Sequence, residues 1–210
     1  MLERIPPREW RDLAVAWFAI SVAFTLLFIG SGISLPEYFL FFAVALSTVG
    51  IGFVAHEMAH KFTAMGYGYW AEFRKDNWML LVAVLMAALV QVVFAAPGAT
   101  MIYGSPTREQ NGRISAAGPL VNLILCIPFL LLGLAAGGIF GLIGTVGWRV
   151  NAMLAAFNML PVGGLDGRKV LAWNVPVFVA LIAVSFALVA VSLSPGILGW
   201  VSSLISNLAS

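Results

Sequence analysis

One cysteine, two histidines and few charges are the scarcities that constrain this chain. The lone Cys126 excludes an internal disulfide, and its place in an apolar run makes it a small buried hydrophobe. Only 10% of the residues are charged, against about a quarter in soluble domains, so water is not the main solvent of this protein. No polar stretch is long enough to fold independently, which excludes a soluble accessory domain and leaves a single domain over 1–210. The 11 basic and 9 acidic residues are dispersed and leave a net charge of +2, which argues against a nucleic-acid partner. No internal repeat or low-complexity tract is present. The apolar run after Arg4, Arg8 and Arg11 lacks a small-residue cleavage site, so it is expected to be kept as a first span.

What the chain has in abundance is apolar length, with 61% hydrophobic residues. A membrane-spanning helix needs about 20 mainly apolar residues, and such runs occupy 13–29, 37–64, 114–136, 148–165 and 175–193. A sixth run, 78–96, is followed by Pro97 and Gly98 and then by a candidate short strand over 99–103. A last piece, 197–208, is too short to span and is expected to lie at the interface. The fold class is therefore an all-α integral membrane bundle of about five to six transmembrane helices, with a re-entrant helix and short strand near 78–103.

Lysine and arginine accumulate in cytoplasmic loops. Here they precede the first span, follow the second at Lys61, Arg74 and Lys75, precede the 114–136 run at Arg108 and Arg113, and follow Asp166 at Arg168 and Lys169. The segments 30–36, 137–147 and 194–199 carry none and are read as outward loops. Because basic clusters flank the 78–96 run on both sides, a re-entrant excursion obeys the rule where an ordinary spanning helix breaks it. The expected location is the cell membrane, with the N-terminus cytoplasmic.

Both histidines fall in one pentapeptide, His56-Glu57-Met58-Ala59-His60. At about 100° per residue, positions i and i+4 lie within about 40° of each other on a helix, one turn apart, where two imidazoles can share a metal ion. Glu57 falls on a neighbouring face, where a carboxylate takes a proton from activated water instead of ligating. Ionisable residues inside a transmembrane helix are costly unless paired or functional, so three within five positions imply a cation. A catalytic zinc takes a third protein ligand, and no histidine remains to supply it. Glu3, Glu9, Asp12 and Glu109 are read as lying in polar surface stretches, Glu37 opens the far end of the span, and Glu72 and Asp76 have basic neighbours. Asp166 closes an apolar stretch in which Pro161 interrupts the helix and the glycines permit close backbone approach. The alternative role for Asp166 is that of a turn cap beside Arg168. With the 78–96 run re-entrant, His56, His60 and Asp166 all fall toward the cytoplasmic side; with a full crossing they do not.

At this point the chain resembles the site-2 protease family of intramembrane zinc metalloproteases. Three signatures carry the resemblance in order: His56 to His60, the Ser115-Ala116-Ala117-Gly118-Pro119-Leu120-Val121-Asn122 stretch, and the segment from Asn158 through Pro161 to Asp166 and Gly167. They span 56–167, within a family core of about 37–193. The resemblance implies one Zn2+ per chain held by His56, His60 and Asp166, Glu57 as general base, and hydrolysis of peptide bonds within transmembrane helices of other proteins. It also puts Asn122 and Asn158 near the site, to hold the substrate or the oxyanion; read alone, such amides hydrogen-bond between membrane helices. Gly118 and Pro119 are read as permitting close packing and a bend. Ala59 stands where many members have glycine, no peptide-binding module is inserted, and the 78–96 run is longer than the family's strand-rich segment.

The expected function is thus intramembrane proteolysis, with a transmembrane protein substrate and the lipid bilayer as partners. Three rivals are weighed against it: a membrane zinc peptidase acting on juxtamembrane or lipidated peptides, a metal transporter using the histidines as a transit site, and a scaffold that binds helices without cleaving them, against which an intact Glu57 argues.

Overall fold

The computed structural model describes residues 5–28, 34–91, 98–194, 196 and 203. They group into two compact units, Met1–Gly104 and Ser105–Ser210. The fold class is the expected all-α membrane protein, and among the described residues five helices are long and apolar enough to cross a membrane: Pro7–Leu27, Leu35–Gly66, Arg108–Ala135, Gly138–Asn158 and Val175–Ser192.

In the first unit, α1 covers Pro7–Phe28, and a second long helix runs as α2 (Leu35–Ala45), a π-helical turn (Leu46–Gly50) and α3 (Ile51–Gly66). The Glu37 carboxylate accepts the Ser34 N–H and hydroxyl, both at 2.7 Å, and so fixes the start of α2. A π turn releases a backbone carbonyl from the regular ladder. The Trp17 indole of α1 donates to the Leu46 carbonyl at 3.0 Å, and a Cβ at Gly50 would strike the same indole. The bulge is therefore locked from α1, and only glycine fits opposite it.

After α3 come β1 (Trp70–Lys75), α4 (Asn77–Val90) and β2 (Gly98–Tyr103). The strands pair antiparallel, with Trp70 opposite Tyr103 and Lys75 opposite Gly98. Sequence reasoning anticipates β2 but reads its partner β1 as a basic loop. Asp76 caps α4 by accepting from the N–H groups of Trp78 (2.9 Å) and Met79 (3.1 Å). The 14 residues of α4 span about 21 Å, short of the roughly 30 Å hydrocarbon core. Since Lys75 and Gly98 are register partners, the chain leaves and returns at one end of the sheet, as a re-entrant excursion would require. Pro97 and the 92–96 part of the sixth run lie outside the described residues, as does nearly all of 197–208.

The second unit contains α5 (Arg108–Ala135), α6 (Gly138–Asn158), α7 (Asp166–Trp173) and α8 (Val175–Ser192). Thr107 and Gln110 form a reciprocal capping box at the start of α5. The expected outward loop over 137–147 is instead the first half of α6. The absence of Lys and Arg that marks the segment as outward says nothing of its conformation, and in membranes small residues let helices pack closely. Gly138, Gly141, Gly144 and Gly147 recur every third residue; a Cβ at Gly144 would strike the Gly133 and Phe129 backbone of α5, and one at Gly147 the Phe129 ring. Leu120, Ile124, Ile127, Leu131 and Leu134 form an exposed stripe along α5, the face such a helix offers to lipid.

Candidate metal centre

The buried face of α3 is unusual for its chemistry. Alongside Gly52, Phe53 and Ala64 it carries His56, Glu57, His60 and Lys61, and burying an ionisable side chain is costly unless it has a partner. Each partner can be assigned.

His56 and His60 face one another as the helical spacing requires. Their Nε2 atoms lie 3.0 Å apart, with ring centroids at 4.6 Å and planes at 86°. Two imidazoles on a tetrahedral zinc, at about 2.0–2.1 Å each, would have their nitrogens about 3.3 Å apart. The pair thus fits one ion with an adjustment of a few tenths of an ångström. Both rings present Nε2, which leaves Nδ1 for a hydrogen-bond partner that sets the tautomer.

Glu57 does not join the imidazoles. Its carboxylate turns to the sheet, where Thr100 Oγ1 of β2 lies 2.9 Å from Oε2 and 3.1 Å from the Glu57 carbonyl oxygen. One turn earlier, Phe53 meets Phe73 of β1 edge-to-face at 5.6 Å, and Phe73 and Thr100 are a cross-strand pair. Two successive turns of α3 therefore dock on one rung of the sheet.

Lys61 and Glu9 correct the sequence reading of surface charges. Both side chains are 0% exposed and form an ion pair between α3 and α1. The other oxygen of Glu9 accepts the Phe73 N–H at 2.9 Å, so α1 closes the outer edge of β1. Asp12 is also buried and faces Arg74 at 3.7 Å; Arg74 pairs with Glu72 on its own strand. No local signal marks these residues, because Glu9 and Lys61 are 52 positions apart.

In the second unit, Asp166 opens α7 and is 7% exposed. The N-cap position belongs to Leu165, so Asp166 is not the cap residue. Its turn is sharp because a Cβ at Gly167 would strike the Met159 carbonyl, and α6 ends at Asn158, ahead of Pro161, as expected. The far end of α7 is clamped to α5: Arg108 Nε donates to the Ala172 carbonyl, the Arg113 guanidinium lies 5.6 Å from the Trp173 ring centroid, and Gly112 leaves space for that ring. Lys169 Nζ lies 4.0 Å from Asp166 Oδ1. Pro161 is exposed, whereas Gly118 and Pro119 are buried in α5.

Asn122 is fully buried, and its amide donates to Asn151 Oδ1 at 2.9 Å; Asn151 donates in turn to the Gly147 carbonyl at 2.8 Å. The Asn158 amide donates back to the Leu154 carbonyl of its own helix at 3.0 Å. Asn151 went unnoticed in the sequence because a single amide in a membrane helix carries no spacing signal.

Comparison with known proteins bears on this donor set. The chain is 39% identical over 175 residues to the Methanocaldococcus jannaschii protein named "Putative zinc metalloprotease MJ0611", covering 81% of this chain and 87% of that one. It belongs to this zinc metalloprotease family. A second relative from the same organism, "Zinc metalloprotease MJ0392", is 27% identical over 144 residues, covering 67% of this chain and 37% of that protein. No protein-family model and no solved structure matches the chain. In a zinc metalloprotease the paired Nε2 atoms and the carboxylate one residue away are the expected complement, two ligands and one proton carrier.

Proposed function

We propose that the protein is an intramembrane endopeptidase of the site-2 type, hydrolysing peptide bonds in or near transmembrane segments of membrane-protein substrates. The observation that carries this reading is the His56–His60 pair, with Nε2 atoms 3.0 Å apart, on a helix that is itself long and apolar enough to span. A soluble protease has no need to bury its centre in such a helix.

In this reading His56, His60 and Asp166 hold one zinc ion, the last supplying the anionic oxygen that completes the donor set. When bound, zinc supplies Lewis acidity toward water and toward the scissile carbonyl. Glu57 takes a proton from the attacking water and returns it to the leaving amine. Asn122 and Asn158 are proposed to lie near the substrate or the developing oxyanion; each amide already donates once, to Asn151 and to the Leu154 carbonyl, so the second N–H of each is the donor left for such a charge. Gly118, Pro119, Pro161 and Gly167 shape the backbone around these groups. The proposed partners are a transmembrane substrate and the bilayer, and the flanking basic residues support a site toward the cytoplasmic side of the cell membrane.

The test is cleavage by the purified full chain of single-span substrates against juxtamembrane and lipidated peptides, with zinc content measured on the same samples. Glu57→Gln is expected to keep its zinc and lose at least about a hundredfold in rate. Full activity in that variant, or cleavage of the juxtamembrane or lipidated peptides with the single-span substrates left uncut, removes the reading.

A further inference from the structure

We propose that Thr100 is the positioning residue for the Glu57 carboxylate, a role that rests on Glu57 being the general base. Among the described residues, Thr100 supplies the hydrogen bond that this carboxylate receives: its hydroxyl donates to Oε2 at 2.9 Å. A carboxylate on a helix has several rotamers of similar energy, and only those aimed at the attacking water are productive. Holding Oε2 leaves Oε1 to take the proton. The arrangement separates labour on α3, because the histidines are left to bind metal while the carboxylate between them is oriented from outside the helix.

The chemistry of a hydroxyl suits this task better than an amide or a cation. A hydroxyl donates one hydrogen and accepts through its lone pairs. While Glu57 is ionised, Thr100 donates to it. Oε1 takes the proton from water, so Oε2 stays an acceptor and the Thr100 hydroxyl keeps its hold on it at 2.9 Å. The base is held in one place before and after proton transfer. A lysine there would put a charge on a long flexible stem in place of a fixed, neutral donor.

The strand beneath is built to fix the hydroxyl. Thr100 is half-buried between exposed Ala99 and Met101, so alternation turns it toward α3. It stands opposite Phe73, which is anchored twice, by its ring on Phe53 and by its N–H on Glu9. A Cβ at Gly98 would strike the Arg74 carbonyl oxygen of β1 and come within 2.6 Å of Phe73 Cζ, so this glycine lets the start of β2 lie close on the sheet.

The experiment compares Thr100→Val, which keeps the branched shape and strand preference but removes the hydroxyl, with Thr100→Ser, which keeps the hydroxyl. Both are made in the full chain and assayed on the single-span substrate that wild type cleaves fastest, with zinc content and thermal midpoint measured alongside. Thr100→Val is expected to lose about tenfold to a hundredfold in kcat, with KM within about twofold, zinc unchanged and the fold intact. Thr100→Ser recovers most of that loss. Adding Thr100→Val to Glu57→Gln has no further effect, since residues acting as a unit are not additive. A Thr100→Val enzyme with full kcat, or a serine variant as impaired as valine, overturns the proposal while inactive Glu57→Gln leaves the base in place. Activity in Glu57→Gln removes the base itself, and Thr100 with it.

Discussion

Replacing Lys61 with methionine removes one partner of an ion pair that has no exposure to solvent on either side. Methionine keeps the length and apolar stem of lysine, so packing changes little and the charge changes completely. Glu9 is then left as a buried carboxylate with the Phe73 N–H, at 2.9 Å, as its donor. Breaking a buried pair in this way costs about 3–5 kcal/mol, because the remaining charge is uncompensated. The cation over the Trp70 ring, 5.8 Å from its centroid, adds about 0.5–1 kcal/mol to the loss. With about 2–4 °C per kcal/mol for a chain of this size, the thermal midpoint in detergent micelles is expected to fall by about 7–24 °C, read by intrinsic tryptophan fluorescence. The decisive measurement is the second variant. Lys61→Met combined with Glu9→Gln removes both charges yet keeps an amide oxygen for the Phe73 N–H, and it is expected to regain most of the lost stability. A single variant within about 1 kcal/mol of wild type, or a double variant no better than the single, refutes the assignment of the penalty to an orphaned charge.

Asp166→Asn keeps the shape of the side chain and removes the anionic oxygen that a zinc site prefers; bound zinc is expected to fall sharply by elemental analysis while the circular dichroism spectrum persists. Full zinc content in the folded variant removes Asp166 from the donor set. Gly144→Leu drives a side chain into the Gly133 and Phe129 backbone, and is expected to destabilise by about 3 kcal/mol or more. Gly137→Ala, where nothing lies within 4 Å of the added carbon, serves as the near-neutral control in the same unfolding assay.

The parts of this protein legible in its sequence are those whose signal is local. His56, Glu57 and His60 are one turn of one helix, and the scarcity of histidine elsewhere makes the cluster conspicuous. The helix break before Asp166 is announced by Pro161, and the capped, apolar spans follow from composition. The parts that were not legible depend on partners distant in sequence. Strand β1, Trp70–Lys75, alternates too weakly to be told from a charged loop until β2 supplies its ladder. Glu9 and Asp12 sit among arginines and prolines and read as surface, yet Lys61 and Arg74 draw them inward. The first half of α6 is illegible for a different reason: the absence of Lys and Arg over 137–147 reads as an outward loop, whereas against Gly133 and Phe129 the lack of a side chain at its glycines permits helix contact.

The adjacency of Glu57 to His56 has a geometric meaning in this fold. Residues 53, 57 and 61 fall on one stripe of α3 and residues 56 and 60 on the next, about 100° away. The first stripe is tied to the sheet at every turn, through the Phe73 ring, the Thr100 hydroxyl and the Glu9 carboxylate that holds the Phe73 N–H. The second stripe presents paired imidazole nitrogens. Moving the carboxylate by one residue to position 58 would turn it about 100° further from the sheet and away from Thr100. A base at position 57 can therefore be oriented by the same strands that fix the helix, while the ligands one stripe away remain directed at the ion. If the proposed intramembrane site holds, where bulk water cannot satisfy a carboxylate, that tethering serves burial and orientation with one hydroxyl.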